Sequence, residues 1–315
     1  MNTHKFLTAC VAFFALVLPV RAAQITAERS EHGVTVKIDG KLFTEYLTDS
    51  ATKPILWPII GPTGKPMTRA WPMEAKSKGT KDHPHHRSLW FTHGSVNGID
   101  FWTDVPADKR GRIVHRDFVT VQSGPEAEII ARDDWLSPQG KKVCEDQQRL
   151  VFGVQGTSRW IDYAITLRAS EGPLAFGDTK EGSFGLRMAD SMRVDAKKGG
   201  RIINSRGLTD AAAWGKTAEW VDYHGPLDGQ TVGIAIMNHP SSFRYPTAWH
   251  VRTYGLFAAN PFAEHEFAGD STHPVSYTLP QGKEIVFRYR VLLHRGDEKE
   301  GRVAEAFAEY AKRKN

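Results

Sequence analysis

The sequence predicts an all-β protein, a large antiparallel β-sandwich carrying a short C-terminal helix. Three observations predict it. Apolar residues alternate with polar ones at a period of two, turn dipeptides cut these runs at short spacing, and long helical patterns are nearly absent. Many short strands with few helices suit sheets packed face to face, a sandwich or barrel-like body.

The N-terminus reads as an export leader. Lys5 precedes an apolar run from Phe6 to Pro19, and Val20-Arg21-Ala22 suits cleavage after Ala22. The run is shorter than the roughly 20 residues of a spanning helix. No stable membrane insertion is therefore expected after cleavage, and the expected location is periplasmic or secreted. Leu7-Thr8-Ala9-Cys10 has the form of a lipoprotein box, but most of the apolar run follows Cys10, which argues against lipidation.

Removal of residues 1–22 from the 315 leaves 293, expected to form one domain over 23–315. That chain keeps one cysteine, Cys144, so no intramolecular disulfide can form. Its 39 basic and 36 acidic residues give a mild net charge of +3. No basic block stands out, which excludes nucleic acid as a natural partner.

Along the chain, Val34, Val36 and Ile38 mark an early strand. Ile161, Tyr163, Ile165 and Leu167 mark a second, and Phe287, Tyr289, Val291 and Leu293 a third. Asp39-Gly40, Gly61-Pro62, Pro138-Gln139-Gly140, Asp228-Gly229 and Pro280-Gln281-Gly282 supply turns. A short Ala-rich piece follows Thr209. Val303, Phe307 and Tyr310 or Ala311 line one face of a helix expected from about Glu298. There is no internal repeat, low-complexity tract or linker.

Chemistry concentrates in three places. The richest is Asp82-His83-Pro84-His85-His86-Arg87-Ser88-Leu89-Trp90-Phe91-Thr92-His93-Gly94, running on to Trp102. Imidazoles move protons near neutral pH, indoles offer flat apolar platforms to sugar rings, and arginine grips oxygens in fork geometry. If the segment were extended, His83 and His85 would point the same way and could begin a metal site. No third ligand or His-Glu-x-x-His spacing accompanies them, so no cofactor is assigned, with metal left open.

The second place is His239-Pro240, Arg244 and Trp249-His250-Val251-Arg252. The third is Lys180-Glu181-Gly182 with Gly185-Leu186-Arg187, whose glycines lack the Gly-Lys-Ser/Thr step of a phosphate loop. Trp214-Gly215 and the segment from Trp220 could add wall to a cleft. No Gly-x-Ser-x-Gly elbow occurs, and Cys144 in its strand-like setting reads as an inert buried thiol.

On the segments Asp82 to Trp90, Val96 to Trp102, Lys180 to Arg187 and His239 to Arg252, the chain resembles a family of exported bacterial proteins labelled PmoA. The resemblance covers roughly Tyr46 to Gly296 and brings no assigned catalytic residues. More loosely, the chain is similar to the galactose-mutarotase superfamily. That likeness implies a large β-sandwich with histidines, a carboxylate, arginines and aromatics on a concave sheet face. In that superfamily a histidine acid works opposite a carboxylate base, but the classical epimerase motifs are not matched here.

The expected function is a periplasmic carbohydrate-active enzyme acting on a sugar or sugar acid by His/Glu acid–base chemistry, as an epimerase, lyase or hydrolase. His85, His86, Glu181 and His250 are the candidate catalytic residues, with Asp82 the lesser choice of base. Asp82, His83, Arg87, Trp90, His93, Trp102, Arg187, His239, Arg244 and Arg252 are the candidate substrate-binding residues. A non-catalytic carbohydrate-binding protein and a His-bound metal protein are the alternatives.

Overall fold

The computed structural model describes residues 23–270 and 272–314, so the expected leader lies outside the described residues. In chain order the strands are β1 (Ile25–Ser30), β2 (Gly33–Ile38), β3 (Lys41–Ser50), β4 (Lys53–Leu56), β5 (Leu89–His93) and β6 (Arg112–Gln122). Then come β7 (Ala127–Leu136), β8 (Lys142–Gln155), β9 (Ser158–Arg168), β10 (Leu174–Phe176), β11 (Gly182–Arg187) and β12 (Arg201–Asn204). The last are β13 (Trp220–Leu227), β14 (Gln230–Asn238), β15 (Ala248–Val251), β16 (Leu256–Asn260), β17 (Tyr277–Leu279) and β18 (Glu284–Arg295). Two short α-helices accompany them, α1 (Glu264–Ala268) and α2 (Val303–Tyr310).

Sheet one runs β1-β2-β3-β4-β5-β11-β16-β15, and sheet two runs β12-β13-β14-β18-β9-β8-β7-β6. Strands β10 and β17 pair separately, and the paired strands are antiparallel throughout. The expected antiparallel sandwich is the fold that forms. The expected turns do their work as well. Asp39-Gly40 (φ 49° and 74°) and Asp228-Gly229 (φ 50° and 79°) close two-residue hairpins with the positive φ values that a type I′ turn demands.

The sheets meet through interleaved aromatic rings. Phe184 of β11 stacks on Tyr289 of β18 with ring centres 4.6 Å apart, and Phe91 of β5 meets Phe287 of β18 at 5.3 Å. On the far side of sheet two, Val303 and Tyr310 of α2 pack on Val151, Trp160, Ala235, Met237 and Leu292. The helix starts at Val303 rather than near Glu298. The Asp297 carboxylate accepts the backbone N–H groups of Lys299 and Glu300, closing a turn there, and Arg302 takes a φ of 51°. The Ala-rich piece after Thr209 forms a single 3-10 turn, Asp210–Ala213.

One asymmetry positions everything functional. In β7 buried and half-buried residues alternate along the whole strand, as a one-sided strand should. Strands β4, β5, β11 and β16 are instead buried at every position. Their second face needs a cover, and the long connections between β4 and β5 and between β5 and β6 provide it. Under that cover Ile55, Trp90, Trp102, Leu256 and Ala258 make a small separate apolar core. Among the described residues no helix is long and apolar enough to cross a membrane.

Phe184→Ala removes the ring at the centre of the inter-sheet contact. It is expected to destabilise the protein by about 3–5 kcal/mol, read as a lower urea midpoint at unchanged slope. A loss below about 1 kcal/mol would contradict this packing.

Candidate functional site

The covered face of sheet one follows from strand parity. Trp90 on β5 pairs with Gly185 on β11, Gly185 with Ala258 on β16, and Ala258 with His250 on β15. Paired residues share a face, so this row points away from the sandwich core and into the covering layer. Gly185 is required there. A Cβ at that position would lie 2.5 Å from Trp90 Cζ2 and 2.9 Å from Trp102 Cη2. Without it, the two indoles settle on the strand with ring centres 5.1 Å apart.

At the end of β11, Arg187 is fully buried. Its Nη2 donates to both oxygens of Asp82, at 2.7 and 3.0 Å. Arg69, in the β4–β5 connection, donates from Nη1 to Asp82 Oδ1 at 2.5 Å and from Nη2 to the carbonyls of His83 and His86. Burial and the neighbouring Arg187 charge push Arg69 down to about 10, which still leaves it charged at neutral pH. Burial also works to raise Asp82, but hydrogen bonds and charge from Arg187, with help from His83 and Arg69, hold it well below the usual carboxylate range. Two guanidiniums on one carboxylate leave a positive charge over.

Asp82 in turn holds His83. The Nδ1–H of His83 donates to Asp82 Oδ2 at 2.8 Å, while the side chain remains 42% exposed. This arrangement leaves Nε2 as the accessible nitrogen. A carboxylate that fixes the tautomer and orientation of an imidazole is the standard preparation for acid–base work. The His83 ring lies parallel to Tyr254 at 5.2 Å and to His86 at 4.8 Å. Tyr254 has the guanidiniums of Arg187 and Arg252 over its ring, at 4.9 and 5.6 Å. Burial raises the Tyr254 phenol, and the charges acting on it are Arg252, Arg187, Glu181 and Asp82. Residues from all three sequence clusters therefore meet around Tyr254.

His250 donates from Nδ1 to the Lys180 carbonyl at 2.6 Å. Burial drives it down to about 3 against that hydrogen bond, and the positive charges of Arg252, Lys180 and His83 add to the depression. It is thus a neutral imidazole at pH 7. His86 is deeper: its Nδ1 accepts from Arg187 Nη1 at 3.1 Å, and burial, then His85 and Arg187, push it far below its ordinary value. Its hydrogen therefore sits on Nε2.

That Nε2 has no hydrogen-bond partner within the protein. The same is true of Trp90 Nε1, Trp102 Nε1 and Lys53 Nζ. Lys53 of β4 lies over the Trp90 ring, Nζ to ring centre 5.6 Å. All four atoms are donors, buried and gathered about Trp90. Unpaired donors of this kind are costly, and they match a ligand that offers acceptor oxygens. Beside them His85 faces Asp104 Oδ2 at 3.3 Å, and Arg87 donates to Ser50 Oγ.

Several sequence expectations are corrected. His83 and His85 do not lie on one extended strand. The segment turns, with His86 N–H donating to the His83 carbonyl and His83 at a φ of 47°, and the two imidazoles address different carboxylates. Trp90 and Trp102 are fully buried and present no platform to solvent; the available ring is Tyr254. Arg187 binds Asp82 rather than an incoming molecule, so it is a positioning residue.

His93 belongs to the core side of β5. Its Nε2 donates to the Gly177 carbonyl, its ring packs on Phe262, and burial pushes it down to about 4. His239 follows β14 of sheet two and sits against Tyr310 of α2. Arg244 anchors loops through the Pro261 and Ser276 carbonyls. It lines a separate open cleft of about 420 Å³ with Tyr245, Pro246 and Phe267. Cys144 is buried in β8, and burial raises its thiol well above the ordinary range.

Lys53 offers a pH-dependent test. Burial, then the Arg87 charge, lowers it from 10.5 to about 7. Between those values the unfolded chain binds the proton that the folded chain has lost, so stability rises with pH across that window. Below pH 7 the destabilisation is complete; near pH 10.5 it is gone. Lys53→Met is accordingly expected to raise the denaturation midpoint at pH 6.5, with the gain falling to about a third by pH 9.5. An equal gain at both values would contradict a buried, depressed lysine.

Residues 33–308 match the family described as "Family of unknown function (DUF6807)". No curated protein matches the chain. Among solved structures it is similar to the α-galactosidase from Lactobacillus brevis, at 10% identity and a TM-score of 0.42, over 88% of this chain and 40% of that one. It is similar to a variant of a glycoside hydrolase family 97 enzyme from Pseudoalteromonas sp. strain K8, at 11% identity and a TM-score of 0.37, over 87% and 34%. A third is a galactose mutarotase related enzyme from Lactobacillus acidophilus, at 11% identity and a TM-score of 0.30, over 86% and 95%. The chain spans well under half the length of the first two, and no residue role passes from any of the three. The sequence match from 33 to 308 takes in most of the 315 residues, and the chain belongs to the family of unknown function DUF6807.

Proposed function

We propose that this protein is an exported carbohydrate-active enzyme that binds a sugar acid at the Tyr254 rim and acts on it by acid–base chemistry centred on His83. One observation carries the reading: Arg69 and Arg187 fix Asp82, and Asp82 fixes a half-exposed His83 by its Nδ1. Nothing in packing alone requires an imidazole to be held so firmly with its other nitrogen at the surface. His83 then takes or gives the proton at Nε2. Glu181, whose charge acts on the same phenol, is the partner of opposite role, and neutral His250 accepts a hydroxyl hydrogen.

The charge balance favours an acid over a neutral sugar. The clamp carries one surplus positive charge, and Arg252 adds another within reach of Tyr254. Tyr254 supplies the flat face for the ring carbons. Removal of a proton beside a carboxylate, leading to epimerisation or elimination, is the chemistry such a site performs most directly. The leader-like composition of residues 1–22 supports an exported setting, and in this reading residues 23–315 are the working domain.

The test is the purified protein in deuterated buffer with a panel of uronates and matched neutral sugars, followed by proton NMR. Exchange or loss of a ring proton on a uronate is expected. His83→Gln should slow it at least ~100-fold while changing the Kd by less than about tenfold. Arg252→Ala should weaken uronate binding about 10–100-fold and leave the neutral sugar nearly unchanged. Binding with no exchange would reduce the protein to a carbohydrate-binding module. No binding of any sugar at millimolar concentration would overturn the proposal.

A further inference from the structure

A second cluster lies on sheet two, away from the Tyr254 rim. Asp222 and His224 stand two residues apart on β13 and so share a face. His224 pairs across the sheet with Gly233 on β14, and Gly233 pairs with His294 on β18. The two imidazoles thus flank a residue with no side chain. A Cβ on Gly233 would lie 2.3 Å from His294 Cε1, and one on Gly301 would lie 2.2 Å from His294 Nδ1. Both glycines are cut to fit that ring.

The geometry points to a divalent metal site formed by Asp222 Oδ1, His224 Nδ1 and Glu298 Oε2, suited to zinc or a similar first-row ion. These three atoms lie within 4.8 Å of one another. Nδ1 of His224 is 2.6 Å from Asp222 Oδ1 and 4.0 Å from Glu298 Oε2. An ion about 2.0–2.2 Å from each would space them about 3–3.5 Å apart, between those two separations. Small side-chain rotations suffice. The histidine must then carry its hydrogen on Nε2, and water fills the fourth position.

Glu298 is the independent pointer. Its side chain is only 15% exposed, and among the described residues its carboxylate has no cation nearer than His224. His294, donating from both ring nitrogens, already supplies a positive charge to Asp222, but Glu298 has none, and a mostly buried carboxylate left so is expensive unless a cation joins it. His294 completes the arrangement without touching the ion. It donates from Nε2 to the other oxygen of Asp222 at 2.7 Å, and its Nδ1 donates to the Arg295 carbonyl at 3.1 Å. An outer hydrogen bond of this kind orients a ligating carboxylate. The site would tie β13 to the 297–301 turn that leads into α2.

The test uses the full protein stripped with chelator and titrated with Zn²⁺ by calorimetry, then with Co²⁺ by visible absorption. One equivalent of Zn²⁺ is expected, with a tetrahedral Co²⁺ spectrum. Glu298→Gln and His224→Ala should each weaken Zn²⁺ binding at least ~10-fold, whereas His83→Ala should not. Among the described residues the Glu298 side chain makes no hydrogen bond, and its backbone bond to the Val303 N–H is kept in the variant, so metal-free Glu298→Gln should melt within a few degrees of the parent. The site is overturned if the stripped protein takes up no Zn²⁺ at 100-fold excess over micromolar protein, or if neither cluster variant alters the binding. Asp222 would then simply bridge two imidazoles.

Discussion

Two buried guanidiniums need an anion, and in this structure Asp82 is that anion. Arg69 comes from the connection after β4 and Arg187 from the last position of β11, more than a hundred residues apart. Neither makes an ion pair with any other carboxylate among the described residues: Arg69 otherwise reaches carbonyls and the Trp71 ring, and Arg187 reaches His86 and the Tyr254 ring. Removing the Asp82 carboxylate would strand two charges in low dielectric, a cost of several kcal/mol. The consequence runs outward. Fixing Asp82 fixes the turn on which His83 and His86 sit, and that turn closes over Trp90. The covering layer of sheet one is therefore held by charge at one edge and by indoles at its centre.

Much of the fold was legible in the sequence because one-sided strands write their burial as alternation. β2 and the ends of β9 and β18 toward Leu167 and Ile285 were readable in this way, although most of the rest of β9 and β18 is buried on both faces. The Asp-Gly hairpins were readable from their turn residues. The site strands were less readable because they break that pattern. β5 and β11 are buried on both faces, so alternation no longer distinguishes core from site. Parity could still have separated His93 from Trp90. Leu89, Phe91 and His93 fall on one side of β5, and Trp90 and Thr92 on the other.

The site was legible where chemistry was dense and opaque where it was sparse. The window from Asp82 to Trp90 announced itself by its histidines. Lys53 did not, since a lysine before Pro54 reads as a turn residue; only its shared parity with Ile55 hints that it points into the layer. Tyr254 lies in a four-residue turn between β15 and β16, and Arg69 precedes a Trp-Pro pair with no charged neighbour. Density also misled. His239 and Arg244 were grouped with His250 by sequence distance, yet the chain crosses from sheet two to sheet one between Asn238 and Ala248. Residues on either side of that crossing end on different sheets.

The buried donors around Trp90 bear on why the covering layer exists at all. A stable protein selected for packing alone would place a methionine or leucine where Lys53 stands, since a buried amine with no acceptor only subtracts stability. Keeping Lys53 beside two unpaired indole N–H groups and the His86 N–H makes a lining of donors that matches acceptor oxygens. The clamp at the edge and the donors at the centre thus share one sign of preference. Both favour an anion rich in acceptors, and they lie on the same face of the same four strands. The rim holds the imidazole that can move a proton, and the floor holds the donors that can orient oxygens. The rim is open at His83, whereas the donors are sealed beneath the cover, so only an acceptor admitted by an opening of that cover would meet them.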